Sequence, residues 1–115
     1  MMFLASVHMP DDYVPSAEDE AIGREIHALN GELEAAGAMV FACGLQPVNL
    51  AKIVQAQPEG KYLITDGPYL ETKEHIGGFL IFKAESMDEA LAWARKGATA
   101  CRRPVEVREI FFDEG

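Results

Sequence analysis

Gly78-Phe79-Leu80-Ile81-Phe82-Lys83-Ala84 is the stretch whose pattern decides the fold. A strand sends successive side chains to opposite faces. Phe79 and Ile81 therefore point one way and Leu80 and Phe82 the other, so both faces are apolar. A sheet with one wet face alternates apolar and polar residues instead. The same two-sided pattern recurs in Met39–Cys43, where Met39, Phe41 and Cys43 oppose Val40 and Ala42.

Outward from this strand the chain alternates helix and strand. Ser86 and Glu89 form a capping box. Met87, Ala90, Leu91, Ala94 and Ala98 line one face of the helix behind it, and Arg95 and Lys96 suit its negative C-terminal end. Val105–Phe112 is a closing strand. Upstream, Asn49–Gln57 and Lys61–Thr65 flank Pro58-Glu59-Gly60 and read as a hairpin. A loop with its own chemistry runs from Asp66 to about Ile76. Met2–His8 is an apolar strand stopped by Pro10, Asp11 and Asp12. Ser16 and Asp19 mark a helix start. Ile22, Ile26, Leu29, Leu33 and Ala36 then recur at helical spacing until Gly37, giving an amphipathic helix over Ala17–Ala36.

The order is β-α-β, a hairpin, then β-α-β. It predicts a single ferredoxin-like α+β domain, an antiparallel sheet with two helices on one face. Two helices shield only one face of the sheet. At about 25 cal/mol per Å², leaving the other in water forfeits an energy comparable with the net stability of such a chain, roughly 6–17 kcal/mol. A homodimer with its sheets packed face to face is therefore expected. The aromatics Phe3, Phe41, Phe79, Phe82, Phe111, Phe112 and Trp93 are read as core.

The 115 residues suit one domain, and ten basic against nineteen acidic side chains give a net charge of −9. Such a surface repels phosphate, which argues against nucleic acid and against an anionic membrane surface. The acids crowd the first third of the chain and read as a solvated helix face. Cys43 and Cys101 have no metal-type spacing and fit reduced packing residues. With neither a signal segment nor a long apolar run, a cytoplasmic location is expected.

The most distinctive segment is Thr65-Asp66-Gly67-Pro68-Tyr69-Leu70-Glu71-Thr72-Lys73-Glu74, followed by Gly77-Gly78-Phe79. It resembles the DGPF signature of the YCII-related family, with Tyr69 in place of the usual phenylalanine. Ala36-Gly37, Gly44-Leu45-Gln46-Pro47, Asp88-Glu89-Ala90 and Val105-Glu106-Val107-Arg108 extend the similarity over nearly the whole chain. The resemblance implies a dimeric α+β barrel of ferredoxin-like halves. It also implies enzymes with a paired His and Asp in a cleft, relatives that degrade small aromatic-derived compounds, and association with sigma factors.

Asp66-Gly67-Pro68 makes a sharp exit from a strand, with Gly67 read as supplying unusual backbone angles and Pro68 as stiffening the chain. Asp66 either faces a cavity as a base or as the orienter of a histidine, or accepts hydrogen bonds within its own turn. His27 is the candidate acid or base that pairs with it. It lies seventeen residues before Gly44, a separation similar to that between the family's helix histidine and the glycine after its second strand. An imidazole exchanges protons near neutral pH. His8, Pro68, Tyr69, Glu71 and Lys73 are candidate binding residues, Lys73 for an anionic group. The alternative for Glu71 and Lys73 is a charged loop organised by surface pairs, and for His75 a solvated polar residue. The three histidines lie on separate elements without metal-ligand spacing, so neither a metal nor another cofactor is expected. Two functions compete: proton transfer or hydrolysis on a small organic substrate through a His27–Asp66 pair, and a dimeric small-molecule-binding or regulatory module.

Overall fold

The computed structural model describes residues 1–11, 13 and 16–111. Its strands and helices are β1 (Met2–Pro10), α1 (Glu18–Ala35), β2 (Met39–Gly44), β3 (Lys52–Ala56), β4 (Tyr62–Asp66), β5 (Glu74–Lys83), α2 (Met87–Cys101) and β6 (Val105–Glu109). β2, β5, β1 and β6 lie side by side in that order, all neighbours antiparallel. This is the ferredoxin-like arrangement, in which each β-α-β half leaves a gap that a strand of the other half fills. The expected hairpin, β3–β4, stands apart as its own two-stranded sheet. No helix among the described residues is long and apolar enough to cross a membrane.

The helices cover one face of the sheet. Phe3, Leu33 and Phe82 are fully buried there, with the Phe3 and Phe82 rings 5.9 Å apart between centroids. Leu29, Ala38, Ala84 and Ala90 complete the centre, and Leu80, Trp93, Val105 and Val107 pack around it. The opposite face carries Leu4, Phe79, Ile81 and Phe41, which the strand register places together. Phe41 is 52 % exposed on that face, beside Phe79. The two-sided reading of β5 thus describes the sheet. In β2 it needs one correction. A register shift between Met39 and Phe41 sets Met39 opposite Phe82 on the helix side, and Phe41 and Cys43 opposite Ile81 and Phe79 on the open side.

Local chemistry accounts for the helix ends. α2 starts where the Ser86 side chain accepts a hydrogen bond from the Glu89 N–H, and Glu89 in turn accepts from the Glu85 N–H. α1 ends in two interlocked bonds, Gly37 N–H to the Glu34 carbonyl and Ala38 N–H to the Leu33 carbonyl, across Gly37 at φ 71°. That pattern is a Schellman stop, and a left-handed residue is cheap only for glycine. Gly37→Ala is expected to cost about 1–2 kcal/mol, visible as a lower urea midpoint with an unchanged m-value.

Several expectations shift. Only Leu29 and Leu33 of the α1 stripe are buried, and Ile26 remains 37 % exposed. Arg95 and Lys96 lie more than a turn before the end of α2, where Lys96 meets Glu32 of α1 at 3.6 Å. Arg102 meets Glu25 at 3.0 Å, so part of the acidic helix face is paired with α2 rather than only solvated. Phe111 is 90 % exposed, not core, and Phe112 lies outside the described residues. The closing strand stops at Glu109 and β5 begins at Glu74, four residues earlier than its apolar run.

Candidate functional site

That early start of β5 creates the site. Met9 pairs with His75 and Pro10 with Glu74, while the register shifts between Val7 and His8. The shift leaves Gly77 without a partner in β1, and its carbonyl accepts the Leu45 N–H at 2.9 Å. A side chain at Gly77 would sit 2.3 Å from Met9 Cγ, so the two strands close here only around glycine. Beyond the bulge the strand ends, the segment after β2 and the root of the β3–β4 hairpin surround a cleft of about 830 Å³.

One wall is a clip between Asp11 and the motif loop. The Asp11 N–H donates to the Lys73 carbonyl at 2.9 Å. His75 Nδ1 lies 2.6 Å from Asp11 Oδ1, and His75 Nε2 lies 2.8 Å from the Leu70 carbonyl oxygen. Neither a carboxylate nor a carbonyl has a proton to give. Both ring nitrogens are therefore placed to donate, which favours the imidazolium over the neutral ring. Its pKa is raised above the ordinary histidine value, first by the Asp11 hydrogen bond and then by the Leu70 carbonyl. Thr72 Oγ donates to the Glu74 carbonyl at 2.6 Å, which tightens the same loop. Arg103 bridges from behind, to the His8 carbonyl and to the Glu74 carboxylate.

A group with a raised folded pKa contributes stability that is full below its unfolded pKa and is lost as pH rises through the folded value. The clip is therefore expected to be firmest below the ordinary histidine value of about 6.5 and to loosen as pH rises through the higher folded value. Hydrogen exchange at the Leu70–Glu74 amides should quicken as His75 deprotonates. In Asp11→Asn the onset should move to lower pH; the same onset in both proteins would remove Asp11 as the cause.

The other wall is the hairpin root. Lys52 and Asp66 are cross-strand partners, and Lys52 Nζ lies 2.5 Å from Asp66 Oδ1. Both side chains are mostly exposed, which limits the pair to about 0–1 kcal/mol and leaves it free to exchange partners. Gly67 follows with its N–H on the Ala51 carbonyl at 2.8 Å, ahead of a cis Gly67–Pro68 bond. Gly67 is not at positive φ. Its glycine is required by proximity, since a Cβ would lie 2.9 Å from that of Ala51, and not by the unusual angles expected for it.

The expected site residues divide. Asp66 and Pro68 line the cleft. His27 stands exposed on α1 and lines neither this cleft nor the one between the helices, while the Asp66 carboxylate is taken by Lys52. The structure does not bring His27 and Asp66 together there. Tyr69 is 75 % exposed, and Glu71 and Lys73 are exposed; none of the three lines the cleft. His8 lies outside the lining, with Nε2 buried and without a hydrogen-bond partner among the described residues. The sequence by itself does not single out His75, Asp11 or Lys52 as site residues. The signal for His75 and Asp11 was strand order, because a ferredoxin-like sheet makes the first strand a neighbour of the one after the hairpin. No group of three or more His, Cys, Asp or Glu side chains converges as a metal site among the described residues.

Comparison with known proteins finds two similarities. A family model described as the YCII-related domain matches residues 1–112. An uncharacterized protein of Rhizobium meliloti is 34 % identical over 98 residues, covering 82 % of this chain and 78 % of its own.

Proposed function

The chain belongs to the YCII-related domain family, and from that premise we propose that it acts as a homodimer on a small polar organic molecule held in the cleft between the β1–β5 ends and the hairpin root. The reaction is proton transfer or hydrolysis. Asp66 accepts a proton from the substrate or from an attacking water, and the Lys52 ammonium stabilises the negative charge that develops. The carrying observation is the Lys52–Asp66 pair, exposed within a cleft whose other wall is held by the Asp11–His75 clip. A base and a cation in contact, on side chains that water still reaches, can part to meet a substrate. The homodimer is supported by the apolar open face of the sheet.

A second reading is favoured by one feature. Both His75 nitrogens are occupied, which suits a fixed binding wall better than a proton shuttle. In that reading the dimer binds and does not convert, with a sigma factor as the partner the resemblance implies. Thermal-shift screening against small carboxylic acids, hydroxy acids and phenols tests both. A compound that raises the melting temperature of the native protein, but not of Lys52→Met, supports the cleft. Recovery of that compound altered supports catalysis, and recovery unchanged supports binding. Equal shifts in native protein and variant place the ligand elsewhere.

A further inference from the structure

We propose that the β3–β4 hairpin is an exchanged arm: in the homodimer the arm of each copy lies on the uncovered sheet face of the other, and that seat holds the hairpin wall of the cleft in place. This rests on the homodimeric reading above and says which surfaces meet.

The arm cannot account for itself. Its register puts Val54 opposite Ile64 and Ala56 opposite Tyr62, on one face. Val54, Ile64 and Tyr62 are 62, 65 and 68 % exposed. A lone two-stranded hairpin is marginal in water, and this one turns a stripe of large apolar side chains outward. The molecule measures 50 × 45 × 18 Å with a radius of gyration of 16.6 Å, against about 13.4 Å for a compact chain of this length.

The area has the right size. The accessible surface is 8376 Å², whereas a compact monomer of this mass exposes about 6,200 Å². The excess of roughly 2,200 Å² per copy exceeds the 800 Å² or so that a standard interface hides on each partner, and lies in the range of permanent homodimers. The same chain supplies the complement, the open face with Leu4, Phe41, Phe79 and Ile81. A two-fold arrangement satisfies both orphan surfaces at once and closes without leading to a filament. Charge permits it too. In the arm, Lys52 and Lys61 balance Glu59 and Asp66, so a neutral segment approaches a copy carrying −9. Lys52 and Asp66 are the first and last residues of the arm, so its seat on the partner fixes the pair that faces the substrate.

The test uses mixed dimers. Glu59→Cys, in a Cys43→Ala background, carries a nitroxide label at the arm tip of an unlabelled copy, mixed with a ¹⁵N-labelled copy. Broadening of the Phe41, Phe79 and Ile81 amides in the ¹⁵N copy is the expected result. A dimer by light scattering with broadening elsewhere, or none, overturns the exchanged arm and leaves the homodimer standing; a monomer at micromolar concentration overturns both. Ile64→Asp is expected to weaken dimerisation at least about tenfold with an unchanged far-ultraviolet spectrum. Unweakened dimerisation in that folded variant also overturns the arm.

Discussion

Asp66→Asn is expected to lower turnover of the cleft's substrate by roughly 10²–10⁴-fold, the usual contribution of a positioned acid or base, while the protein stays folded. The amide keeps the shape of the carboxylate but takes up no proton and carries no charge beside Lys52. Its structural cost should be small, because the Lys52–Asp66 pair is mostly exposed and worth about 0–1 kcal/mol. That separation makes the measurement clean: turnover falls far more than stability. Glu71→Gln, in the same motif but outside the cleft lining, serves as the control and should leave turnover within about twofold. If both variants turn over like the native protein, Asp66 is not the base. If the substrate is bound and never converted even by the native protein, the binding reading stands in its place.

Phe82→Ala is expected to reduce the unfolding free energy by about 3–5 kcal/mol, the range for deleting a buried aromatic ring. The ring is fully buried, tilted against Phe3, and lies where the two central strands meet the helices. Against a net stability of roughly 6–17 kcal/mol, the loss brings the domain close to its limit. Phe41→Ala removes a similar ring from the open side of the sheet, where it is half-exposed. It should cost an isolated subunit much less, but should weaken the dimer. Urea melts at several protein concentrations distinguish the two: the Phe82 effect is independent of concentration, and the Phe41 effect grows on dilution. Equal, concentration-independent losses would mean that no second copy shelters Phe41.

The two sides of the sheet mark how far the chain reads by itself. Periodicity is a local property, so α1, α2, the hairpin and the two-faced β5 are all legible from short windows of residues. The turn at Glu59-Gly60, with both residues at positive φ, is legible in the same way. Register shifts are not. The bulge after Met39 turned its side chain from the open face to the core, because only pairing with β5 decides which residue is extra.

The cleft belongs mostly to the second kind. Asp66-Gly67-Pro68 announces itself as a motif, yet the need for glycine there comes from Ala51, which approaches only when the hairpin closes. Asp11 and His75 are separated by 64 positions, and nothing local to either predicts the meeting. His27 illustrates the converse, since a helix position is easy to assign from sequence but the direction it faces depends on how the helix docks. By itself, then, the sequence determined the elements, their order and a sheet apolar on both sides, because those follow from residue spacing. Only the tertiary structure decided which charged side chains share a cleft, because β1 and β5 become neighbours through the crossing of the two halves and not through any contact along the chain.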